Sequence, residues 1–241
     1  MIFILKKKSF FVLIFVIISA IILGGMLINI NSVNISSNDK LTVIVDPGHG
    51  GEDGGAVGID NTIEKDLNLL YANDLKDYLE LLGYNVIMTR DKDIAVYDKG
   101  CTTIREKKSS DLHNRLNMTK NIKNAIFISI HMNKYPQEKY YGSQIFYGGK
   151  NEKSKVLGQI ISDNFLKYIN SENKRELKQV GKEIFIVYNS QIPTVLIECG
   201  FVSNSNEIKL LKTKEYREKM MMTAALSVKE YEKSLGEFNE N

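Results

Sequence analysis

The chain has no tryptophan, three prolines, three histidines and two cysteines in 241 residues. Two cysteines, Cys101 and Cys199, are too few for a disulfide framework, so the fold must rest on a hydrophobic core. A surplus of one charge is missing as well. The formal net charge of +3 comes from Lys6, Lys7 and Lys8, which leaves residues 31–241 with 29 basic and 29 acidic side chains. A neutral body has no electrostatic footprint for nucleic acid, and no such partner is expected. No internal repeat is evident. With 43% hydrophobic and 25% charged residues the composition is that of a globular protein, not of a disordered tail or a collagen-like repeat.

One long apolar run stands out. Lys6–Lys8 precede Phe10–Ile28, interrupted only by Ser19, Gly24 and Gly25. At ~1.5 Å per helical residue it is roughly 28 Å long, near the ~30 Å hydrocarbon core of a bilayer. A buried core helix would carry a polar face, which this run lacks. Basic residues before it and few after it put the N-terminus in the cytosol and the body outside the membrane. The run exceeds the usual secretory h-region and no small-x-small site follows cleanly, which favours a retained anchor over a cleaved signal peptide. The expected organisation is a signal-anchor over 1–30, a linker over 31–40, one domain over 41–235 and a polar tail over 236–241.

Within 41–235 two periodicities alternate. Apolar, β-branched runs at Leu41–Val45, Asn85–Thr89, Ala125–Ile130, Ser143–Tyr147, Ile184–Tyr188 and Thr194–Ile197 predict about six strands, mostly buried on both faces. Helices are predicted over Glu64–Leu82 (stripe Leu67, Leu70, Tyr71, Leu75, Tyr78, Leu79, Leu82, stop at Gly83), Lys155–Ile169, Glu215–Leu235 and, more weakly, Leu112–Ile122. The alternation predicts a single α/β domain with a twisted, mostly parallel, mixed sheet and helices on both faces. Asp91–Ser110 reads as a long polar surface excursion of the kind that often carries function.

Polar residues collect at one edge. Leu41–Val45 runs into Asp46-Pro47-Gly48-His49-Gly50-Gly51, Ala125–Ile130 ends at His131, and Thr194–Ile197 ends at Glu198. The carboxyl ends of strands are where open α/β sheets bind ligands. Two of the three histidines lie there; His113 falls in a polar stretch and reads as a solvated helix residue. Two such histidines suggest a catalytic metal with a third protein ligand, for which Glu64 is the best candidate. The competing reading of Glu64 is a capping box with Asn61. His49 and His131 read alternatively as structural histidines, and Glu198 as a buried carboxylate paired with Arg90 or Arg115. Cys199 reads as a small buried hydrophobe facing away from Glu198.

Asp46-Pro47-Gly48-His49-Gly50-Gly51, Glu64-Lys65 with Leu67-Asn68-Leu69, Ser129-Ile130-His131-Met132-Asn133 and Ile197-Glu198-Cys199-Gly200-Phe201-Val202-Ser203-Asn204 together resemble the zinc-dependent N-acetylmuramoyl-L-alanine amidases. The resemblance covers about Leu41 to Leu235. It implies one Zn²⁺ ion held by His49, Glu64 and His131, with Glu198 as the catalytic carboxylate. It further implies peptidoglycan as substrate and the amide between N-acetylmuramic acid and L-alanine as the bond cut. Asp46 is expected to orient His49 and Asn133 to hold substrate or a ligand.

A narrower resemblance, carried by Asp91–Ser110 and Tyr141–Lys150, is to the sporulation- and germination-specific amidases of Gram-positive spore formers. Those remove peptide from spore cortex on the way to muramic-δ-lactam. Other readings are a general autolytic or cell-separation amidase, and a catalytically silent anchored module that binds peptidoglycan or activates another enzyme. No wall-binding module or inhibitory helical insertion is evident. Localisation is therefore expected from the N-terminal segment or a partner, and an accessory protein for zinc loading or substrate delivery is expected.

Overall fold

The structure, a computed structural model, describes residues 40–238. The expected anchor, the linker up to residue 39 and the end of the polar tail lie outside the described residues. Among the described residues no helix is long and apolar enough to cross a membrane.

Six strands form one sheet: β1 (Thr42–Pro47), β2 (Asn85–Met88), β3 (Ala125–Asn133), β4 (Gln144–Tyr147), β5 (Lys178–Gln179) and β6 (Thr194–Phe201), in the order β2-β1-β3-β6-β4-β5. β1 runs parallel to β2 and β3, and β3 parallel to β6. β4 is antiparallel to β6 and parallel to β5. The sheet is thus mixed but mostly parallel, as the alternation of periodicities implied. β1 and most of β3 and β6 are buried on both faces, which is why their sequences read as unbroken apolar runs. The edge strand β2 alternates between exposed and half-buried residues.

Among the described residues six helices accompany the sheet: α1 (Glu64–Leu81), α2 (Ile104–Met118), α3 (Lys153–Tyr168), α4 (Phe185–Asn189), α5 (Ser205–Leu211) and α6 (Lys214–Phe238). In α1 the buried residues Leu67, Tyr71, Leu75 and Leu79 recur every fourth position, each burial worth about 1.5–3 kcal/mol. Leu70, expected on that stripe, is exposed. α1 ends in a Schellman turn: Gly83 takes φ +93°, Tyr84 N donates to the Leu79 carbonyl and Gly83 N to that of Glu80. The main core joins α1, α3 and α6 to one side of the sheet, with Val43, Val45, Ile128, Ile130, Ile197 and Cys199 pointing into it. On the other side Ile44, Ala125 and Phe127 meet Leu112 and Leu116 of α2 and Ile186 of α4.

Several expectations are corrected. Ile184–Tyr188 is not a strand; Phe185–Asn189 is the short helix α4. A brief apolar run does not distinguish a buried strand from a buried helical turn. Here the helical form sends Ile186 to one cluster and Val187 to another, against Val180 and Leu196. The sixth strand is instead Lys178–Gln179, two exposed residues with no apolar signal. The helix expected over Leu112–Ile122 begins eight residues earlier, at Ile104. Thr103 caps it: its side chain accepts from Glu106 N while the Glu106 carboxylate accepts from Thr103 N. The polar excursion therefore ends at Thr103. β3 and β6 run past Ile130 and Ile197, so His131 and Glu198 lie within strands near their carboxyl ends.

Candidate active site

β1 ends at Pro47, and Gly48 N donates to the Ile130 carbonyl, holding the following turn against β3. The turn then adopts left-handed backbone at His49 (φ +62°) and Gly51 (φ +57°). A non-glycine residue in that region needs outside support. Two buried arginines supply it. Arg90 donates to the carbonyls of Pro47 and Gly48 at 3.0 Å each, and to that of Lys65. Arg115, from α2, donates to the carbonyls of Pro47 (2.8 Å) and His49 (2.7 Å).

The turn carries the His49 imidazole to the Glu64 carboxylate at the start of α1, with Nε2 and Oε1 3.3 Å apart. His131 brings Nδ1 to the same oxygen at 2.9 Å. The two imidazole centroids are 5.0 Å apart with planes at 76°. One donor atom from each of His49, Glu64 and His131 falls within 4.8 Å of the others. Glu64 Oε1 also accepts from Met132 N and Asn68 Nδ2, and Oε2 accepts from Ala56 N at 2.7 Å. Burial opposes ionisation of Glu64, but the two imidazoles outweigh it and hold this carboxyl far below the usual range. The capping box does not form: Ile63 is the N-cap, without a side-chain bond, and Asn61 has φ +66°.

His131 and Glu198 are register partners across β3 and β6, so both side chains leave the sheet on the same side. Cys199 faces the opposite side, fully buried in the main core. Glu198 has no arginine partner, since Arg90 serves backbone carbonyls and Arg115 also pairs with Asp46 and Asp111. Its Oε2 is buried without any hydrogen bond. Burial pushes its carboxyl up to about 7, with His131 pulling it down and Glu64 adding to the rise.

Asp46 does not touch the His49 imidazole. Its carboxylate accepts from Arg115 Nη1 (2.8 Å), Thr89 Oγ1 (2.6 Å) and Ser129 Oγ (2.6 Å), and it reaches His49 only through Arg115. The carboxylate beside His49 is Asp53, with Oδ2 3.0 Å from Nδ1. Burial lowers the His49 pKa, but Asp53 and Glu64 prevail and raise it to about 9. Asn133 is half-buried past an irregularity in the β3–β6 register, and its carbonyl accepts from Val202 N. His113 is an exposed residue of α2, with Nδ1 2.7 Å from the Ser109 carbonyl.

This donor set fits a metal ion. Two imidazoles and a carboxylate are the ligand types of a catalytic zinc with an open position, and a fourth polar group, Glu198 Oε2, stands by unpaired. Glycines crowd the cradle. A Cβ on Gly55 would come within 2.5 Å of Glu64 Oε2 and 2.7 Å of His49 Cδ2, and one on Gly48 would collide with the His131 ring. A cavity of about 220 Å³ opens beside His49 and His131, lined also by Ala95, Tyr97, Ile104 and Leu112. The sequence reading missed Asp53, Asn68 and the carbonyl-binding arginines. Asp53 follows His49 by four residues, and Asn68 follows Glu64 by one helical turn, so spacing offered a signal for both.

A mostly parallel α/β sheet with His49, His131 and Glu198 near the carboxyl ends of its central strands, and Glu64 opening α1 beside them, defines an α/β protein with a candidate metal site at the sheet rim. The description of the N-acetylmuramoyl-L-alanine amidase family (Amidase_3) matches residues 43–230, and the chain belongs to that family. It is a peptidoglycan amidase. It is 35% identical over 178 residues to the germination-specific N-acetylmuramoyl-L-alanine amidase of Bacillus subtilis, covering 74% of each chain. Its fold is similar to the CwlD amidase of Clostridioides difficile, solved in complex with the GerS lipoprotein. That likeness has TM-score 0.77 and 38% identity over 80% of this chain and 99% of that one. The amidase AmiC2 of Nostoc punctiforme is also similar, with TM-score 0.67 and 25% identity over 80% and 97% of the two chains.

Proposed function

We propose that this amidase is zinc-dependent, with His49, Glu64 and His131 as ligands and Glu198 as the proton carrier. The observation that carries the reading is the unpaired Glu198 Oε2, buried beside two imidazoles and a carboxylate whose donors converge within 4.8 Å. A bound zinc ion supplies Lewis acidity toward the scissile carbonyl and lowers the pKa of water from 15.7 to about 7. Glu198 accepts a proton from the attacking water as its oxygen joins the lactyl carbonyl carbon. It then delivers that proton to the nitrogen of L-alanine as the C–N bond breaks, leaving a muramic acid carboxyl and a free peptide amine. Asn133 contributes a polar contact to substrate near the same edge.

The cellular setting is a second part of the proposal. The enzyme acts on spore cortex, where the exposed muramic acid goes on to muramic-δ-lactam. This is supported by 35% identity to a relative named as germination-specific. Residues 1–30 anchor it outside the cytoplasm with the N-terminus inside, and the domain spans 41–235. An accessory protein assists it, a reading supported by the lipoprotein in the CwlD complex.

The test is digestion of cortex and vegetative peptidoglycan by the purified protein, with zinc or with chelator, and mass spectrometry of the products. Zinc-dependent release of stem peptides beginning at L-alanine is expected, with cortex preferred. Chelator-resistant release would sink the zinc assignment, and preference for vegetative wall would sink the cortex role. Spores of a deletion strain should lack muramic-δ-lactam and regain it with the wild-type gene but not with Glu198→Ala.

A further inference from the structure

We infer that Asp53 is the positioning residue that fixes the ring and tautomer of His49 for metal binding, an inference that rests on the zinc reading above. A neutral imidazole has one N–H and one lone pair, and only the lone pair binds a metal. His49 turns Nε2 toward the Glu64 carboxylate at 3.3 Å and Nδ1 toward Asp53 Oδ2 at 3.0 Å. A carboxylate accepting at Nδ1 keeps the proton there and leaves the Nε2 lone pair aimed at the cluster.

The other nearby carboxylates are not free to do this. Asp46 is occupied by Arg115, Thr89 and Ser129, and Glu64 is itself in the cluster. Asp53, by contrast, is held in place for the task. Its backbone exchanges hydrogen bonds with Gly50 at 2.9 and 3.1 Å, which closes a tight loop directly after His49. Its Oδ1 accepts from Gly55 N at 3.2 Å, and Lys108 Nζ lies 3.4 Å from Oδ2 on the α2 side. With its backbone and both oxygens tied, the carboxylate presents one direction to the imidazole.

A purely structural Asp53 would act through the Gly55 bond, which an asparagine side-chain oxygen preserves, and through the exposed Lys108, a weak partner at 3.4 Å. The full-length protein in detergent, stripped and titrated with zinc against a chromophoric chelator, separates the two roles. Asp53→Ala should lower zinc affinity about 10–100-fold. Asp53→Asn should lose several-fold, while Glu52→Ala, one residue away and paired only with Lys107, should bind as wild type. Nitrogen NMR of the His49 ring in the zinc-loaded protein should show a protonated Nδ1, with that signature lost in Asp53→Ala.

Wild-type zinc affinity in Asp53→Asn, an equal loss in Glu52→Ala, or a His49 ring protonated at Nε2 would each overturn the assignment. If the wild-type protein binds no zinc, the metal reading itself fails.

Discussion

Asp46 and Arg115 meet at 2.8 Å, each side chain only 2% exposed, directly beneath the turn that bears His49. Burial alone would raise the Asp46 pKa, yet Arg115 and the hydroxyls of Ser129 and Thr89 hold it below the usual carboxylate range. The pair therefore ties β1, which carries Asp46, to α2, which carries Arg115.

Neutralising Asp46 leaves Arg115 in the interior with Asp111 as its remaining carboxylate. Asp46→Asn should cost about 1.5–3 kcal/mol of stability at neutral pH, measured by denaturant unfolding of the metal-stripped protein. The depressed pKa makes this contribution complete above the ordinary carboxylate pKa and lost as pH falls through the lower folded value. The gap between wild type and variant should accordingly narrow with acidification.

Glu198→Gln should abolish turnover while leaving zinc stoichiometry intact. Rates in such variants fall by about 10²–10⁴ when a general acid–base group is lost. Zinc loss in this variant would make Glu198 a ligand instead. Because the carboxyl is unpaired and its pKa stands near 7, the amide should also raise the melting temperature of the protein at pH 8.

The same residue sets the acid limb of the pH profile. A base with pKa raised to about 7 is protonated, and idle, on the acid side, so kcat/KM should fall as pH drops below neutrality. A bound dication favours the carboxylate and should bring that midpoint below 7. The limb should vanish from the residual rate of Glu198→Gln. A limb that persists there unchanged would assign it elsewhere.

Each of His49→Ala, Glu64→Ala and His131→Ala should reduce bound zinc from one ion to none by elemental analysis. Glu64→Ala should also be the least stable of the three. It strips an acceptor from the amides of Ala56 and Met132, and an unsatisfied buried donor costs about 1–3 kcal/mol.

Gly48→Ala tests the cradle. A methyl there meets the His131 ring, so the ring or the turn must shift, at about 1–3 kcal/mol. Zinc affinity should drop sharply with circular dichroism unchanged.

The legible parts of this protein were those with repeated, redundant signals. β1, β3 and β6 announce themselves because both faces are buried, and α1 because its buried residues recur each turn. The motif residues His49, Glu64 and His131 converge within 4.8 Å although they are far apart in sequence. What stayed hidden was set by tertiary partners. Lys178–Gln179 is a strand only because Phe146 and Tyr147 offer it an edge, and α4 is helical because two separate clusters each need one of its residues. The start of α2 was legible in Thr103 and Glu106 as a capping pair, but charged residues between them and Leu112 obscured it. Asp46 is kept from His49 by Arg115, a pairing across 69 residues that no local spacing encodes, whereas Asp53, four residues after His49, lies beside its ring.

The two walls of the cavity differ in how much change they can absorb. On one side Gly48 lies so close to His131 that a single added carbon disturbs a reactive group. On the other, Ala95, Tyr97, Ile104 and Leu112 belong to the excursion and to α2, and none of them is among the residues that converge on the cluster. A library seeking altered stem-peptide preference should therefore randomise the second wall and leave the first untouched. Diversification of this scaffold has a direction built into it: outward from the excursion, with the glycine side as its fixed boundary.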